Sequence, residues 1–295
     1  MKYDIIIPVA FKDFAFLKRS YQYLCENLGA EFIYIITDGQ LSRFLPSIIR
    51  NSPRFIILDE NKIVNGLTFN RIYSIIKSQR REHTNTGWFY QQFLKMGFAL
   101  CPYCKNDYYL SWDADTIPLQ KINFFDEVGK PFFTMKTEYH KPYFVAMKRL
   151  LGIEKVNDGS YISEHMMFNK QIMCDLLDKI RESKVDGVEW YEKILNSIVS
   201  ELESTDSFSE FETYGSFCKL YYPSHYVERK LPSFRRGGLI QGRFVCDDVL
   251  EKLGEDFVVS SFEIYDRPPF PWGFICYLYE KYLKYRYVLL KKILT

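Results

Sequence analysis

The sequence predicts an α/β fold in which a mixed, mostly parallel sheet is flanked by helices and followed by a C-terminal amphipathic helical segment. The first observation is that apolar runs of strand length alternate with helix-like segments, which is typical of a parallel sheet wrapped by helices. The second is that acidic residues or a Pro-Val pair come directly after several of these runs. Ligands bind beyond the carboxyl ends of the strands in such sheets. These residues therefore predict a ligand site.

Local patterns predict the individual elements. Continuous apolar runs predict strands at residues 3–9, 31–37, 54–58, Tyr108–Trp112, 131–135 and 161–168. Apolar residues at helical spacing predict helices at residues 14–28, 69–81, 87–100, Lys141–Leu151, 170–183 and 188–204. We expect Ser209 to cap a further helix that Glu210 and Glu212 enter, because acidic residues are stabilising near a helix N-terminus.

Two carboxylates, Asp113 and Asp115, follow the apolar and aromatic run Tyr108–Trp112, and Thr116 and Pro118 are expected to end that strand. Asp is depleted from strands and is costly to bury without a partner. A divalent cation explains the pair, because Mg²⁺ and Mn²⁺ prefer carboxylate oxygens and substrate phosphates. The alternative is that both residues simply open a turn.

Composition places the chain among ordinary globular proteins. It has 295 residues, of which 47% are hydrophobic and 26% are charged, with a formal net charge of +2. This balance does not favour nucleic acid as a partner. Aromatic residues make up 18% of the chain, a content that suits sugar-stacking surfaces, membrane interfaces or an aromatic core.

Seven scattered cysteines do not resemble a disulfide framework and fit a reducing compartment. No secretory signal precedes the first strand, and no apolar run has the length of a transmembrane helix. We therefore expect a cytoplasmic protein that is peripheral at the inner face of the cell membrane.

The end of the chain differs from what precedes it. We expect one domain over residues 1–266, and a proline linker with an amphipathic helix over residues 267–295. In this tail, basic residues are interleaved with aromatic ones, as in helices that lie on anionic membranes. The alternative is a helix packed on the domain, with lysines that reach out to solvent.

Five segments carry a family resemblance when they are taken together. They are Ile5-Ile6-Ile7-Pro8-Val9, Gly87-Trp88-Phe89-Tyr90-Gln91-Gln92, Asp113-Ala114-Asp115, Ser163-Glu164-His165-Met166 and Ser209-Glu210-Phe211-Glu212-Thr213-Tyr214-Gly215. The set resembles bacterial glycosyltransferases of the GT-A type with a DxD motif, in a poorly characterised branch linked to surface polysaccharide synthesis. The chain has no P-loop and no Gly-x-Gly-x-x-Gly after its first strand, so phosphate binding through a cation is expected.

The resemblance implies roles for particular residues. Pro8, Val9 and Asp38 would contact the base and ribose of a nucleotide sugar. Asp115 would bind Mn²⁺ or Mg²⁺ directly, and Asp113 would contact the ribose or a metal-bound water. A late histidine is often a further metal ligand in such enzymes. His225 is the first candidate for that role, and His165 is its rival.

Other residues are candidates on chemical grounds. Arg235 and Arg236 would neutralise the diphosphate leaving group, unless they belong to a surface salt-bridge face. Gln91 and Gln92 are candidate ligands of the nucleotide sugar, with helix capping or surface exposure as the alternative. An inverting transferase also needs a base on the acceptor hydroxyl, and Glu164 or Glu210 could supply it. A retaining enzyme would need neither residue as a base.

Together with the resemblance, these observations predict a metal-dependent glycosyltransferase that takes a UDP- or GDP-linked sugar. We expect it to extend a glycan or lipid-linked glycan acceptor in the synthesis of capsule or lipopolysaccharide-type polymers. A sugar nucleotidyltransferase is one alternative, although the segment Ala10-Phe11-Lys12-Asp13-Phe14 lacks the glycine-rich loop that such enzymes usually carry there. A catalytically silent sugar- or membrane-binding module is the other.

Overall fold

The computed structural model describes residues 1–79, 85–198 and 207–294. Its strands are β1 Asp4–Pro8, β2 Ile33–Thr37, β3 Phe55–Asp59, β4 Tyr108–Trp112, β5 Thr116–Pro118, β6 Phe132–Thr134, β7 His165–Asn169, β8 Val227–Arg229, β9 Ser233–Phe234 and β10 Val259–Ser261. Its helices are α1 Phe14–Asn27, α2 Ser47–Arg50, α3 Phe69–Ser78, α4 Thr86–Gly97, α5 Lys141–Leu151, α6 Lys170–Arg181, α7 Trp190–Ser197, α8 Glu210–Tyr221, α9 Gly238–Gln241, α10 Asp247–Asp256 and α11 Trp272–Leu294.

The strands form three sheets. A five-stranded sheet has the order β3-β2-β1-β4-β7, a three-stranded sheet has the order β5-β10-β9, and β6 pairs with β8. Strand β1 runs parallel to β4, with Asp4 opposite Tyr109 and Ile6 opposite Ser111. The pairs β10–β9 and β6–β8 are also parallel, whereas β10 and β5 are antiparallel. The predicted fold class, a mixed and mostly parallel sheet flanked by helices, is confirmed.

Two features of the strands differ from the sequence expectations. Strand β4 ends at Trp112 as expected, but Thr116–Pro118 goes on to form a separate strand, β5, which pairs with β10. The expected strand at residues 161–168 begins only at His165. Local side-chain hydrogen bonds occupy the segment before it: Ser160 Oγ accepts from the Ile162 N–H at 3.0 Å, and Ser163 Oγ donates to the His165 carbonyl at 2.6 Å. Such bonds compete with a strand ladder.

The helices largely match the sequence pattern, with differences at their ends. Helix α5 has the expected bounds, and α8 begins at Glu210 with Ser209 Oγ accepting from the Glu212 N–H at 3.2 Å. The expected helix at 69–81 ends at Ser78, and the one at 188–204 covers only Trp190–Ser197. Residues 80–84 and 199–206, on which the remaining parts of these two predictions fall, lie outside the described residues.

The chain divides into two compact units. Unit 1 comprises Met1–Ile6, Asp59–Ser111 and Phe124–Lys230, and unit 2 comprises Ile7–Leu58, Trp112–Asn123 and Leu231–Thr295. Aromatic rings fill much of the unit 1 core, as in the edge-to-face pairs Phe93–Trp190 and Phe168–Tyr214. A cluster within unit 2 contains Phe16, Ile117, Val245, Leu250 and Phe262. The expected domain boundary at residue 266 stays a prediction.

Helix α11 belongs to unit 2 and packs on it along one face. The Tyr287 ring lies 6.0 Å from the Phe11 ring, and the Arg286 guanidinium lies over the same ring at 5.5 Å. Lys291 forms an ion pair with Asp38. The predicted C-terminal helix is present in the structure. Among the helices of the described residues, none combines the length and the apolar character needed to cross a membrane.

Candidate functional site

An acidic site in unit 2 is built at the end of β4. After Trp112 the chain turns tightly: the Trp112 Nε1–H donates to the Thr116 carbonyl at 2.9 Å, and the Thr116 N–H donates to the Asp113 carbonyl at 3.1 Å. This turn presents Asp113 and Asp115 at half-buried positions. The Phe262 N–H donates to the Asp115 carbonyl at 2.8 Å. The segment after β10 therefore runs beside the two carboxylates.

Glu263 follows Phe262 and lies against Asp115. Burial, followed by the charge of Asp115 and a side-chain hydrogen bond with it, raises the pKa of Glu263 to about 8. The charge of Asp113 raises it further. The Asp115–Glu263 pair thus retains a proton near neutral pH, because two adjacent carboxylates do not ionise together easily. A cation would favour the fully ionised pair.

Arg243 supports Asp115 from the protein interior. Its side chain is only 5% exposed, its Nη1 atom lies 2.5 Å from Asp13 Oδ1, and its Nη2 atom lies 3.9 Å from Asp115 Oδ2. The Arg243 Nε–H also donates to the Phe262 carbonyl at 3.0 Å. Burial alone would lower the pKa of Arg243, but the charges of Asp13 and Asp115 raise it overall. Arg243 is therefore a fixed positive charge beside one oxygen of Asp115.

Asp266 and the glycine-bearing basic loop lie in the same unit. Asp266 is buried, its Oδ1 lies 3.7 Å from Arg236 Nη1, and the Arg236 side chain is 68% exposed. A Cβ atom on Gly238 would lie 2.5 Å from Asp266 Oδ2, so this close approach requires glycine. Arg236 is thus held beside Asp266 with its guanidinium open to solvent, while Arg235 is half-buried.

Three of the residues predicted to contact the nucleotide, Pro8, Val9 and Asp38, lie close together in unit 2. The Val9 N–H donates to the Ile36 carbonyl at 2.8 Å, and Thr37 Oγ1 donates to the Val9 carbonyl at 2.7 Å. Pro8, Val9 and Asp38 therefore lie at the same end of β1 and β2. Both Pro8 and Val9 are buried.

Asp38 already has partners in this structure. Its Oδ1 accepts the Gln40 and Leu41 N–H groups at 2.8 and 3.1 Å, and its Oδ2 pairs with Lys291. Burial alone would raise the pKa of Asp38, but the hydrogen bonds from Lys291 and Leu41 lower it overall. A contact between Asp38 and a nucleotide stays a prediction.

In unit 1, Gln92 and Glu210 have well-defined structural partners. Gln92 Oε1 accepts the Glu210 N–H at 2.9 Å and thereby caps α8. The Glu210 carboxylate lies 2.8 Å from Lys95 Nζ, and the two side chains are 6% and 5% exposed. The Lys95 ammonium also lies over the Phe211 ring at 4.4 Å. Gln91 is half-buried on the same helix. The capping alternative describes Gln92 well.

Glu164 and His165 lie directly before and at the start of β7. Glu164 is buried, and its Oε2 lies 3.4 Å from Lys136 Nζ. His165 Nε2 lies 3.2 Å from Thr134 Oγ1. Burial, followed by the charges of Arg229 and Lys136, lowers the pKa of His165 to about 3, so its imidazole is neutral.

His225 lies in a loop of unit 1, as expected. Its Nε2 lies 3.0 Å from the Tyr108 hydroxyl, and its ring stacks on the Tyr108 ring with centroids 6.1 Å apart. Burial, followed by the charge of Lys130, lowers the pKa of His225. This shift favours the neutral ring, the form with the lone pair that metal binding requires.

Across the described ranges, with gaps at 80–84 and 199–206, no group of three or more His, Cys, Asp or Glu side chains is arranged to hold a metal ion. The predicted set of Asp113, Asp115 and His225 therefore stays a prediction. Mg²⁺ typically binds through only one or two carboxylates together with substrate phosphates. The half-buried oxygens of Asp113, Asp115 and Glu263 fit that donor chemistry.

Sequence reasoning missed Arg243, Glu263 and Asp266, which surround Asp115. Residues 258–262 form a short apolar segment directly before Glu263, as Tyr108–Trp112 does before Asp113. An acid after a short strand was thus a usable signal for Glu263. No local signal identifies Arg243, because its role depends on contacts with Asp13 and Asp115, which are distant in sequence.

The fold and this acidic site define an α/β protein with clustered carboxylates after a strand of its parallel sheet. The chain belongs to a family of unknown function (DUF6492), whose model matches residues 7–230. No curated protein matches the sequence significantly.

Several solved structures are similar to the chain. Mouse xyloside xylosyltransferase 1 is 9% identical in sequence with a TM-score of 0.45. The match covers 88% of this chain and 97% of the xylosyltransferase chain. The galactosyltransferase LgtC is 12% identical with a TM-score of 0.45, over 95% of each chain. The mannosyltransferase Ktr4p of S. cerevisiae is 13% identical with a TM-score of 0.46, over 77% of this chain and 68% of that one. All three are glycosyltransferases, but likenesses at these TM-scores do not by themselves decide an activity.

Proposed function

We propose that this chain is a GT-A-like, metal-dependent glycosyltransferase that moves a sugar from a UDP- or GDP-linked donor to a glycan acceptor. The observation that carries the proposal is the Asp113–Asp115 turn at the end of β4, where acidic side chains cluster beside Arg243. We place the reaction in surface polysaccharide synthesis, following the resemblance of the sequence segments.

Asp115 would bind the cation directly, and Asp113 would contact the ribose or a metal-bound water. A bound Mg²⁺ or Mn²⁺ supplies positive charge for the departing diphosphate, the group whose stabilisation dominates sugar transfer. Arg243 places a buried positive charge 3.9 Å from Asp115 Oδ2. Arg236 lies 3.7 Å from the buried Asp266 and is 68% exposed, so its guanidinium is open to a phosphate oxygen. Arg235 is the second candidate for that contact.

Glu164 is the preferred candidate for the base on the acceptor hydroxyl. Its ion pair with Lys136, at 3.4 Å, is longer than the 2.8 Å pair between Glu210 and Lys95. The tighter and more buried pair makes Glu210 the poorer base, because removing its charge from Lys95 is costly. An inverting transfer requires one of these carboxylates as the base, whereas a retaining transfer requires neither.

His225 stays the preferred histidine ligand over His165 in this proposal. His225 lies in a half-buried loop, where its side chain contacts Tyr108 and Tyr226. His165 is buried at 3% exposure with its Nε2 directed at Thr134. Turning the His225 side chain towards a metal ion therefore costs less free energy than turning the buried His165.

We also propose that α11 contacts the surface of an anionic membrane. The helix exposes large side chains at intervals of three or four residues, which places them on one side of the helix. They are Phe274, Leu278, Tyr282, Tyr285, Leu289 and Ile293. The buried residues Cys276 and Leu283 lie on the opposite side. Lys281, Lys284 and Lys292 accompany the exposed stripe, a pattern that suits a helix lying in a membrane interface.

The test of the transferase is thermal stability with uridine and guanosine diphosphates, each with and without Mn²⁺. A ligand at about 100 times its Kd should add roughly 2.7 kcal/mol to the unfolding free energy. We expect one nucleotide to raise the melting temperature only with metal present, and Asp115→Asn to abolish that rise. Asp256→Asn, at an exposed position at the end of α10, is the matched control and should respond like the wild type.

The alternatives make different predictions in the same assay. A sugar nucleotidyltransferase should respond to a nucleoside triphosphate together with a sugar phosphate, and should release pyrophosphate. A silent binding module should show no metal-dependent shift with any nucleotide. Either pattern would overturn the transferase proposal.

A further inference from the structure

The pairing of β5 with β10 places Glu263 at the Asp113–Asp115 turn. The two strands are antiparallel, with Ser261 opposite Thr116. The next step of the ladder is the bond from the Phe262 N–H to the Asp115 carbonyl, at 2.8 Å. Glu263 is the residue directly after Phe262, so the chain carries it past the end of the ladder and beside the Asp113–Asp115 turn.

The Asp115 and Glu263 carboxyl groups are within hydrogen-bond reach of each other. Two carboxylates at this separation repel when both are ionised, unless a proton or a cation lies between them. Arg243 does not neutralise both, because its Nη1 is bonded to Asp13 and only its Nη2 approaches Asp115, at 3.9 Å. The pair is therefore short of positive charge.

A second, independent observation indicates the same deficit. Asp266 is only 3% exposed, and its charge interacts with that of Asp115. Neither Asp266 oxygen accepts a hydrogen bond within the described part of the chain, and the Arg236 guanidinium lies 3.7 Å away. Buried carboxylates are normally hydrogen-bonded, paired or close to a metal ion. A buried acid that accepts no hydrogen bond, close to the Asp115–Glu263 pair, points to a cation there.

We propose that Glu263 is a ligand of the divalent cation and that Asp115 and Glu263 are its two protein carboxylates. Two carboxylates plus substrate phosphates form a typical Mg²⁺ site, so a histidine ligand is not required. Asp113 then contacts the cation through water or contacts the donor. The inference rests on the proposed function for the identity of the bound cation, and it names a ligand that the resemblance does not.

The test is Mn²⁺ binding by the full chain, measured as loss of the free Mn²⁺ signal in electron paramagnetic resonance, with Mn²⁺ as the only added ligand. We expect Glu263→Gln and Asp115→Asn each to weaken Mn²⁺ binding tenfold or more. Glu255→Gln removes an exposed acid of α10 and should bind like the wild type. Circular dichroism spectra verify that each variant is folded.

A second variant keeps the inference testable if Glu263→Gln does not fold. Glu263→His removes the like charge but keeps a metal-binding side chain, and it should retain measurable Mn²⁺ binding. If Glu263→Gln binds Mn²⁺ as tightly as the wild type while Asp115→Asn loses Mn²⁺ binding, Glu263 is not a ligand. That result would leave the proposed transferase function intact. Conversely, Mn²⁺ binding that depends on Glu263, without any nucleotide response, would support the metal site and overturn the transferase.

Discussion

At the scale of single residues, His165 is a neutral imidazole enclosed by protein. Its Nε2 lies 3.2 Å from Thr134 Oγ1, and the Phe124 ring packs against its ring with centroids 5.6 Å apart. Burial, with the charges of Arg229 and Lys136, lowers its pKa to about 3. An unfolded chain exposes this histidine, whose pKa then returns to about 6.5.

This difference predicts a pH dependence of stability. Between pH 6.5 and 3 the unfolded chain binds a proton at His165 that the folded chain does not bind, so the contribution of His165 is fully present above pH 6.5 and is lost as the pH falls. The loss is at most about 1.4 kcal/mol per pH unit. His165→Gln keeps a hydrogen-bonding group but does not titrate.

Urea denaturation of the wild type and His165→Gln at pH 7.5, 6 and 5 measures this contribution. We expect the stability advantage of the wild type to shrink with each step towards acid. Parallel pH profiles for the two proteins would show that His165 does not have a strongly lowered pKa in the folded state.

At the scale of elements, two helical glycines have opposite environments. Gly215 in α8 lies against Tyr161, where an added Cβ would be 2.4 Å from two ring carbons. Gly254 in α10 has Leu119 atoms at 3.7 Å as its nearest neighbours, which is ordinary contact distance. The first glycine permits close packing of a helix on an aromatic ring, whereas the second has room for a methyl group.

We therefore predict opposite effects for the same substitution. Gly215→Ala should lower the unfolding free energy by about 1–3 kcal/mol, because the buried Tyr161 ring must shift. Gly254→Ala should raise it by about 0.5–1 kcal/mol, because alanine restricts the unfolded chain and favours the helix. Urea denaturation with an unchanged m-value measures both. Equal effects of the two substitutions would contradict this account of helix packing.

At the scale of the whole molecule, α11 combines a packed side with a stripe of exposed aromatic and aliphatic side chains. Deleting the helix would also remove its contacts with Phe11 and Asp38. Substitutions on the exposed side test membrane binding without that disturbance.

We expect Tyr285→Ser combined with Ile293→Ser to lower binding to anionic phospholipid vesicles roughly tenfold, since each side chain loses apolar area at the interface. Added salt should weaken binding of both proteins, because it screens the lysines. Sedimentation with vesicles measures the bound fraction. Val188→Ser changes an exposed apolar residue elsewhere and serves as the control. Unchanged partitioning of the double variant would refute the membrane role of α11.

Local sequence patterns were sufficient for much of the fold. The bounds of β4 and α5 match the predictions, and those of β1 and α1 differ by only a residue or two. Each of these elements carries its own apolar run or periodicity, so its conformation is encoded within a short window. Strands β5 and β10 were missed because each has only three residues and is stabilised mainly by its partner.

The sequence by itself determined the mostly parallel α/β class, the Asp113–Asp115 pair at the end of β4, and a C-terminal helix with aromatic and basic residues. Only the tertiary structure decided that Glu263 and Arg243 meet Asp115, and that Lys95 neutralises Glu210. The physical reason is that helices and strands depend on neighbours along the chain. The charges around a carboxylate depend on strand register and packing between residues more than a hundred positions apart, as in the Lys95–Glu210 pair with its separation of 115.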